Sequence, residues 1–302
     1  MGIPNVVLVT GASGFIGQAL VRALSDRGCT VRALCRTPMA GVAWQAGDLA
    51  DPASLRGSCV GVEAVCHLAG SAHVRAPRAV HERVTVAGTR ALLAEARGAG
   101  VRRFVFVSSI KAACSDDDYA CSRRAAEDLV MGEKGLVGQV IRPALVYGPG
   151  MKGNLSRLLA WADRPVPLPL PRGLAVRSMV HRDDVVAVLL ALLARAEPGP
   201  RWIVSDGRAY TLWDIYAEMR RACGRRVVPL HVPAAGLKGL ARLGDRMGRV
   251  LGGPLPFDSA ALAPLLESCH VDDQRVWVDL QLVPQGTFSG ALAAMRTRGT
   301  TC

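Results

Sequence analysis

The sequence is poor in lysine and aromatic residues, and it contains no long apolar run. Only four of its 302 residues are lysine, so arginine supplies almost all of the formal net charge of +12. Aromatic residues make up 5% of the chain and no long basic run is present, which disfavours nucleic acid as the main partner. The longest strongly apolar stretch, residues 185–194, is shorter than the roughly 20 residues that span a bilayer. No transmembrane helix is expected.

The arginine excess leaves several kinds of partner open. Half of the residues are hydrophobic and 21% are charged, which excludes disorder of the chain as a whole. Guanidinium groups suit phosphate, so we favour a small phosphorylated ligand over nucleic acid or an anionic membrane surface. A solvated arginine-rich surface without any partner is the remaining alternative.

The cysteine pattern and the N-terminus bear on where the protein acts. Nine cysteines are scattered along the chain without a CxxC pair, which predicts small core residues rather than a disulfide framework or a zinc knuckle. The first basic residue is Arg22, so the N-terminus matches neither a secretory nor a mitochondrial leader. We therefore expect a cytoplasmic protein.

The first half of the chain alternates short β-branched runs with longer helical patterns, which is typical of a parallel sheet with crossover helices. The predicted strands are residues 5–10, 30–34, 43–46, 64–68, 103–108 and 138–142. The predicted helices between them are residues 15–26, 77–97 and 119–131. The pattern predicts an α/β fold, a Rossmann-type doubly wound parallel sheet with a smaller, mostly helical C-terminal substrate domain.

The alternation of strand and helix patterns changes after Tyr147. Prolines at alternate positions from 165 to 171 indicate an extended segment, whereas the strand and helix patterns return from residue 176 to residue 205. We therefore predict a discontinuous dinucleotide-binding domain, residues 1–148 and 176–206. Residues 149–175 and 207–302 are expected to form the substrate-binding domain.

A glycine-rich segment joins the first predicted strand to the first predicted helix. Gly11 permits the tight turn, Gly14 lets the backbone approach a pyrophosphate, and Gly17 allows close helix packing. A glycine triplet alone is weak evidence, but a preceding strand and a following helix make a dinucleotide site the favoured function. The residues predicted to contact the dinucleotide here are Gly11, Ser13, Gly14, Phe15, Ile16 and Gly17.

The end of the second predicted strand bears on the choice of coenzyme. An enzyme that uses NAD usually carries Asp or Glu there, whereas this strand ends with Cys35 and Arg36. Because a guanidinium pairs well with phosphate, we favour NADP(H) over NAD(H), the alternative being a solvent-facing arginine. Asp48 and the Leu49 N–H are expected to face the adenine, with a helix N-cap as the competing role for Asp48.

Several further motifs occur in a characteristic order. They are AGDL at residues 46–49, HLAG at 67–70, FVFVSS at 104–109, YACSR at 119–123, RP at 142–143, YGPG at 147–150, RSMVHRDD at 177–184 and VSDG at 204–207. With the glycine-rich loop, they resemble the extended short-chain dehydrogenases/reductases, in particular the NAD(P)-dependent epimerase/dehydratase branch that modifies nucleotide sugars. The resemblance implies further coenzyme contacts from Leu68, Ala69, Gly70 and Pro143.

The resemblance also implies a catalytic set. It assigns the general acid/base to Tyr119 and the hydroxyl that binds the same substrate oxygen to Ser109. A phenol is a weak base near neutrality unless a neighbouring positive charge stabilises its ionised form. The family places a lysine four residues after the tyrosine, where this chain has Arg123, and it places an asparagine where this chain has Thr85. The loop 110–118 is also shorter than is usual in this branch.

On the substrate side, the resemblance implies contacts from Asn154 to a nucleotide and from Arg177 to a diphosphate. For Asn154 a helix N-cap is the alternative role, compatible with the contact to a nucleotide, and for Arg177 the alternative is a surface arginine at a strand start. The pattern resembles enzymes that act at C4 of UDP-N-acetylhexosamines or UDP-4-keto-6-deoxyhexosamines in surface polysaccharide synthesis. The preference for NADP(H) favours a ketosugar reductase over an epimerase.

The departures from the family pattern support a second hypothesis. Arg123, Thr85 and the short loop are also compatible with a catalytically impaired member that binds the dinucleotide as a sensor or scaffold. In the family, helices corresponding to residues 77–97 and 119–131 pair across a two-fold axis, which predicts a homodimer.

Overall fold

The computed structural model describes residues 2–71, 76–168, 170, 175–228, 236, 239, 242, 244–247 and 267–297. Its strands are β1 (Val6–Thr10), β2 (Thr30–Cys35), β3 (Ala43–Ala46), β4 (Ala64–His67), β5 (Arg103–Val107), β6 (Val137–Pro143), β7 (Leu145–Tyr147), β8 (Arg177–His181), β9 (Arg201–Val204) and β10 (Ala209–Tyr210). Its helices are α1 (Phe15–Ser25), α2 (Arg78–His81), α3 (Gly88–Gly98), α4 (Lys111–Cys114), α5 (Asp118–Gly132), α6 (Asn154–Ala162), α7 (Arg182–Ala194), α8 (Leu212–Ala222), α9 (Arg275–Asp279) and α10 (Phe288–Thr297). A 3-10 turn covers Pro52–Leu55, and a π-helical segment, Glu82–Ala87, joins α2 to α3.

Seven strands form a parallel sheet in the order β3-β2-β1-β4-β5-β6-β9. Reversal of the strand order on either side of β1 is the doubly wound arrangement, and it confirms the predicted fold class. The central strands are mostly apolar and buried because helices cover both faces of a parallel sheet. All four residues of β4 are buried, for example, as are Phe104 to Val107 of β5.

The chain divides into two compact units. The first contains residues 1–146, 180–206 and 271–286, and the second contains residues 147–179, 207–270 and 287–302. The predicted domain boundaries did not include the return of residues 271–286 to the first unit. This return is held by side-chain contacts that have no local sequence pattern. Trp277 donates through Nε1 to the carbonyl of Ser205 (2.8 Å), and the buried Asp184 carboxylate accepts from the amides of Gln285 and Gly286.

The second unit is built on a smaller scale. Strand β10 pairs antiparallel with β8 through Tyr210 opposite Arg177. Helices α6, α8 and α10 lie in this unit, and Tyr147 and Phe288 pack edge to face with ring centroids 5.2 Å apart. None of the helices in the described residues is both long and apolar enough to cross a membrane.

The expectation that the cysteines are reduced core residues is only partly right. Cys35, Cys59 and Cys66 are free and buried, as expected for small apolar side chains. Cys114 and Cys269, in contrast, are disulfide-bonded, and Cys121 is free and exposed. Disulfide bonding depends on which cysteines the fold brings together, and scattered positions in a sequence do not reveal that.

Candidate active site

Sheet register brings the ends of three neighbouring strands together. Thr10 lies opposite His67 in the pairing of β1 with β4, and His67 lies opposite Phe106 in the pairing of β4 with β5. Because the strands are parallel, the loops that follow them leave from the same carboxyl edge. The glycine-rich loop, residues 68–70 and residues 108–109 are therefore neighbours, as the doubly wound prediction requires.

The glycine-rich loop has the geometry of a phosphate cradle. Gly11 has a φ of 68°, and a Cβ there would lie 2.8 Å from the amide nitrogen of Ala69. A Cβ at Gly17 would overlap the carbonyl oxygen of Gly11, so the start of α1 packs directly on the loop. No side chain caps α1 at Gly14, which leaves its first amides available to an anion.

The other predicted contacts of this loop surround the same helix start. The Ser13 carbonyl accepts a bond from Gln18 Nε2 at 3.0 Å, while the Phe15 ring lies 5.3 Å from the guanidinium carbon of Arg182. Ile16 is half-buried beside Phe15. These contacts fix the first turn of α1 without covering its free amides.

The end of β2 carries no carboxylate. Cys35 is buried and Arg36 is exposed, and the Arg36 side chain has no hydrogen bond or ion pair within the described part of the chain. A free guanidinium at this position is available to an anionic oxygen. The geometry is compatible with the predicted preference for a coenzyme that carries a ribose phosphate.

Asp48 shapes the turn after β3 but does not cap a helix. Its Oδ1 accepts from the Ala50 amide at 2.9 Å, whereas Asp51 is the N-cap of the 3-10 turn. The N-cap alternative for Asp48 is therefore wrong. Leu49 is buried, and a Cβ at Gly88 would lie 2.8 Å from its Cβ, so the start of α3 approaches this turn closely.

A buried chain of hydrogen bonds connects β1, β4 and the π-helical segment. Thr89 donates through Oγ1 to the carbonyl of Thr85 (2.5 Å), so its oxygen accepts from Nε2 of His67 (3.1 Å). In the neutral ring that carries its proton on Nε2, Nδ1 accepts from the Thr10 hydroxyl (2.6 Å), whose oxygen accepts from the Ala69 amide (3.1 Å). Burial, with a smaller contribution from the Arg123 charge, lowers the pKa of His67 to about 3. The neutral imidazole that this network requires is therefore the stable form.

The π-helical segment presents Thr85 where the family pattern places asparagine. Thr85 is buried, and its Oγ1 has no hydrogen-bond partner among the described residues. Segments of π-helix inside α-helices occur frequently at functional sites. The segment was not predicted, because its sequence continues the same helical periodicity as α2 and α3.

Helix α5 begins at Asp118, one residue before the predicted catalytic tyrosine. Asp117 is its N-cap and accepts from the Ala120 amide at 2.7 Å, so the observed helix start lies within one residue of the predicted helix 119–131. The Tyr119 hydroxyl forms no hydrogen bond with any described residue. Ser109 is partly buried, its Oγ accepts from the Lys111 amide at 3.3 Å, and the Lys111 ammonium binds Asp117.

Arg123 lies one helical turn after Tyr119 and is 2% exposed. Its guanidinium carbon is 5.1 Å from the centroid of the Tyr119 ring and 5.6 Å from that of Phe106. Nη1 donates to the Val107 carbonyl at 3.3 Å, Nε has no hydrogen-bond partner within the described ranges, and a Cβ at Gly70 would overlap Nη2. The positive charge that the family reaction requires is thus beside the tyrosine, although carried by a different group.

Two further groups hold Tyr119 and α5 in place. The His81 ring packs edge to face on Tyr119 with centroids 5.8 Å apart, and its Nδ1 is 2.7 Å from Ser71 Oγ. On the next turns of α5, the fully buried Glu127 binds the Arg142 guanidinium through both of its oxygens (2.9 and 2.5 Å). No local sequence pattern predicts either contact.

Glu127 also accepts from Ser108 Oγ at 2.5 Å. This bond joins α5 to the residue after β5, and Ser109 follows it directly. Pro143 ends β6 on the other side, where its carbonyl accepts from the Ile110 amide at 2.9 Å. The three predicted positions Ser109, Tyr119 and Pro143 therefore belong to one hydrogen-bonded framework in the first unit.

The two predicted substrate contacts lie in the second unit. Asn154 is exposed at the start of α6, where Gly153 is the N-cap, so the N-cap alternative for Asn154 is wrong. Arg177 is partly buried, and its Nη2 donates to the Glu267 carbonyl at 3.3 Å. Burial lowers the pKa of Arg177 and the Glu267 charge opposes the shift. Arg177 is thus not the surface arginine of the alternative interpretation.

The residues of the first unit fit a nicotinamide dinucleotide. The loop after β1 has no room for side chains at Gly11 and Gly17. In the part of the chain that the structure describes, no side chain caps the amides at the start of α1, and Arg123 is a buried cation with a single hydrogen bond. A diphosphate and ribose hydroxyls offer the acceptors that these donors lack. Gly11 to Gly17 would hold the diphosphate, and residues 68–70 with Arg123 would face the nicotinamide end.

Comparison with known proteins identifies the family of this chain. Residues 7–205 match the model of the NAD dependent epimerase/dehydratase family, and this chain belongs to that family. It is 32% identical to ceramide reductase of Caulobacter vibrioides (89% of this chain and 85% of the relative are covered) and 27% identical to UDP-glucose 4-epimerase of Vibrio cholerae (76% and 80%). The fold matches the crystal structure of UDP-N-acetylglucosamine 4-epimerase from Bacillus cereus with a TM-score of 0.76 at 19% identity, covering 98% and 97% of the two chains.

Proposed function

We propose that this protein is an NADP(H)-dependent reductase or epimerase that acts at C4 of a nucleotide sugar in surface polysaccharide synthesis. The substrates expected are a UDP-4-keto-6-deoxyhexosamine or a UDP-N-acetylhexosamine, and reduction of a ketone is favoured over epimerisation. The observation that carries the proposal is the buried Arg123 guanidinium against the Tyr119 ring. It supplies the positive charge that a tyrosine acid/base requires.

In the proposed reaction, the bound coenzyme supplies hydride to the carbonyl carbon. The Tyr119 hydroxyl donates its proton to the carbonyl oxygen, which Ser109 orients through a second hydrogen bond. Arg123 stabilises the negative charge left on the phenol until a proton from solvent replaces it. His81 and Arg123 restrict the Tyr119 ring, so that the hydroxyl remains aimed at the oxygen.

The proposed preference for NADP(H) rests on Arg36. No carboxylate follows β2 to bind ribose hydroxyls, and the free Arg36 guanidinium is matched in chemistry to a ribose phosphate. Asn154 and Arg177 remain our proposed contacts to the nucleotide part of the substrate. We also propose that the protein is cytoplasmic and forms a homodimer through the helical run of residues 77–97 and the helix of residues 119–131.

An apolar ketone is the second candidate substrate. Ceramide reductase of Caulobacter vibrioides is more similar to this chain than UDP-glucose 4-epimerase of Vibrio cholerae, at 32% against 27% identity. The catalytic step is the same for both classes, because a ketone carbon accepts hydride and its oxygen accepts the Tyr119 proton. Only the contacts that bind the remainder of the substrate differ.

The test is a coupled substrate and variant panel. Purified protein and NADPH are mixed with a UDP-4-keto-6-deoxyhexosamine or with a ceramide-derived ketone in detergent micelles, and loss of reduced-nicotinamide absorbance is followed. Consumption with the nucleotide sugar, abolished by Tyr119→Phe while NADPH binding is retained, supports the first proposal. Consumption with the apolar ketone alone supports the second candidate. Tight NADPH binding without turnover on either class would favour the sensor hypothesis instead.

A further inference from the structure

Part of the arginine excess lies on one face of the second unit, away from any role in the proposed chemistry. Eight large hydrophobic side chains are exposed in the described residues, and three of them fall in two short segments, 157–166 and 225–228. They are Trp161 (43% exposed), Val166 (74%) and Val228 (42%). Exposed apolar side chains that cluster usually mark an interaction surface, whereas isolated ones do not.

Buried arginine chemistry holds these two segments side by side. Arg220 is 2% exposed, and its Nη1 donates to the carbonyls of Ala162 (3.2 Å) and Arg164 (2.9 Å). Its Nε donates to the Arg226 carbonyl at 2.8 Å. Arg225 adds an ion pair with Asp163 at 3.1 Å. The backbone that carries the exposed side chains is therefore fixed, and the two segments form one surface.

The charges on this surface are nearly all positive. Arg157, Arg164 and Arg226 are exposed and form no ion pair with any acidic residue that the structure describes, while Asp163 is neutralised by Arg225. The Arg164 guanidinium carbon lies 3.8 Å from the centroid of the Trp161 ring, which keeps the charge beside the aromatic side chain. We call Arg157, Trp161, Arg164, Val166, Arg226 and Val228 the Trp161 patch.

We propose that the Trp161 patch docks the protein on the surface of an anionic phospholipid bilayer. Basic side chains are attracted to anionic headgroups, tryptophan prefers the interface between headgroups and acyl chains, and the exposed valines gain by leaving water. Nucleic acid would use the positive charge but offers little to Val166 and Val228. The combination of basic, aromatic and aliphatic side chains therefore favours a lipid surface over a polyanion. The proposal does not depend on which substrate class the active site takes.

The test is sedimentation of the full chain with lipid vesicles. Vesicles of phosphatidylcholine alone are compared with vesicles that contain phosphatidylglycerol, at about 0.1 M salt and at high salt that screens surface charges. The expected result is binding to the anionic vesicles only, lost at high salt. Removal of one basic residue weakens partitioning about fivefold, so Arg157→Glu with Arg226→Glu is expected to weaken it at least about 25-fold.

Matched variants separate the patch from general charge. Arg22→Glu with Arg56→Glu changes the net charge equally at exposed positions of the first unit and should bind vesicles as the wild type does. Trp161→Ala with Val166→Ser leaves the charge unchanged and should also weaken binding. Thermal unfolding and NADPH affinity, measured on every variant, are expected to be unchanged.

Three results would overturn the proposal. They are an absence of binding to anionic vesicles at low salt, an equal loss of binding in the Arg22 and Arg56 control, and a preference for single-stranded RNA that prevents vesicle binding and is unaffected by Trp161→Ala with Val166→Ser. The last result would identify a polyanion site that needs only the charges.

Discussion

The Arg123 guanidinium fills the space that a side chain at Gly70 would need, because a Cβ at position 70 would overlap Nη2 of Arg123. One residue follows the end of β4 and the other lies on α5. The absence of a side chain at position 70 is therefore what allows a guanidinium, broader than the ammonium of the family lysine, to lie buried here. The position of the Arg123 guanidinium can therefore be tested by a substitution at Gly70.

Gly70→Ala is predicted to displace the Arg123 guanidinium and to lower kcat at least about tenfold. The cost to folding should be small, since the clash is with the flexible end of a side chain. In an Arg123→Lys background the same alanine should cost little, because the shorter side chain leaves room. Steady-state kinetics of the four proteins give the coupling between the two positions. An equal fall in kcat with arginine and with lysine at position 123 would contradict the proposed packing of the guanidinium against Gly70.

Thr85→Val is predicted to leave stability within about 0.5 kcal/mol of the wild type. The hydroxyl that the change removes is buried and has no hydrogen-bond partner among the described residues, so no hydrogen bond between them is lost. If the hydroxyl contacts coenzyme or substrate, turnover falls while stability does not. Measuring urea unfolding and kcat on the same samples separates an effect on turnover from an effect on stability. Thr89→Val is the contrasting control, because Thr89 is hydrogen-bonded on both sides and its loss should destabilise the fold.

His67 is predicted to make the fold less stable in acid. Its pKa is about 3 in the folded protein against an ordinary value of 6.5, because burial disfavours the charged ring. Between these values the unfolded chain binds the extra proton, so stability is complete above pH 6.5 and falls towards pH 3. The loss from this residue by pH 5 is about 2 kcal/mol.

Urea unfolding of His67→Gln at pH 7.5 and pH 5 measures that contribution. Glutamine retains a donor and an acceptor but does not titrate, so the variant should lose less stability in acid than the wild type. Identical pH dependence in the two proteins would show that His67 is not the group responsible.

Arg36→Ala is predicted to weaken NADPH binding about 10- to 100-fold and to leave NADH binding unchanged. The reason is that only NADPH carries a phosphate on the 2′ oxygen of its adenosine ribose. Arg22→Ala, another exposed arginine in the same unit, is the matched control. Fluorescence titration with both coenzymes measures the effect. A parallel loss of NADPH and NADH affinity would place Arg36 elsewhere in the site.

Local sequence patterns predicted the sheet and the positions along its carboxyl edge. The β-branched runs predicted β1 and β4 to within a residue or two, and the glycine spacing predicted the turn into α1. Contacts between distant residues were not predictable in this way. The bonds of His67 to Thr10 and Thr89, the packing of His81 on Tyr119 and the return of residues 271–286 all depend on packing in three dimensions.

The Arg123 substitution illustrates the same limit. The sequence shows that arginine replaces the family lysine, but not that its guanidinium is buried under the Tyr119 ring beside a glycine that leaves space for it. The buried Thr85 hydroxyl, which has no hydrogen-bond partner among the described residues, is likewise visible only in the structure.

The central claim is that the loop from Gly11 to Gly17 binds the diphosphate of a nicotinamide dinucleotide, and titration calorimetry with NADPH tests it most directly. The wild type is expected to bind one molecule per chain, and Gly17→Val, whose side chain would overlap the Gly11 carbonyl, is expected not to bind while remaining folded by circular dichroism. Absence of binding heat with every reduced and oxidised coenzyme, or wild-type affinity in the Gly17 variant, would contradict the account.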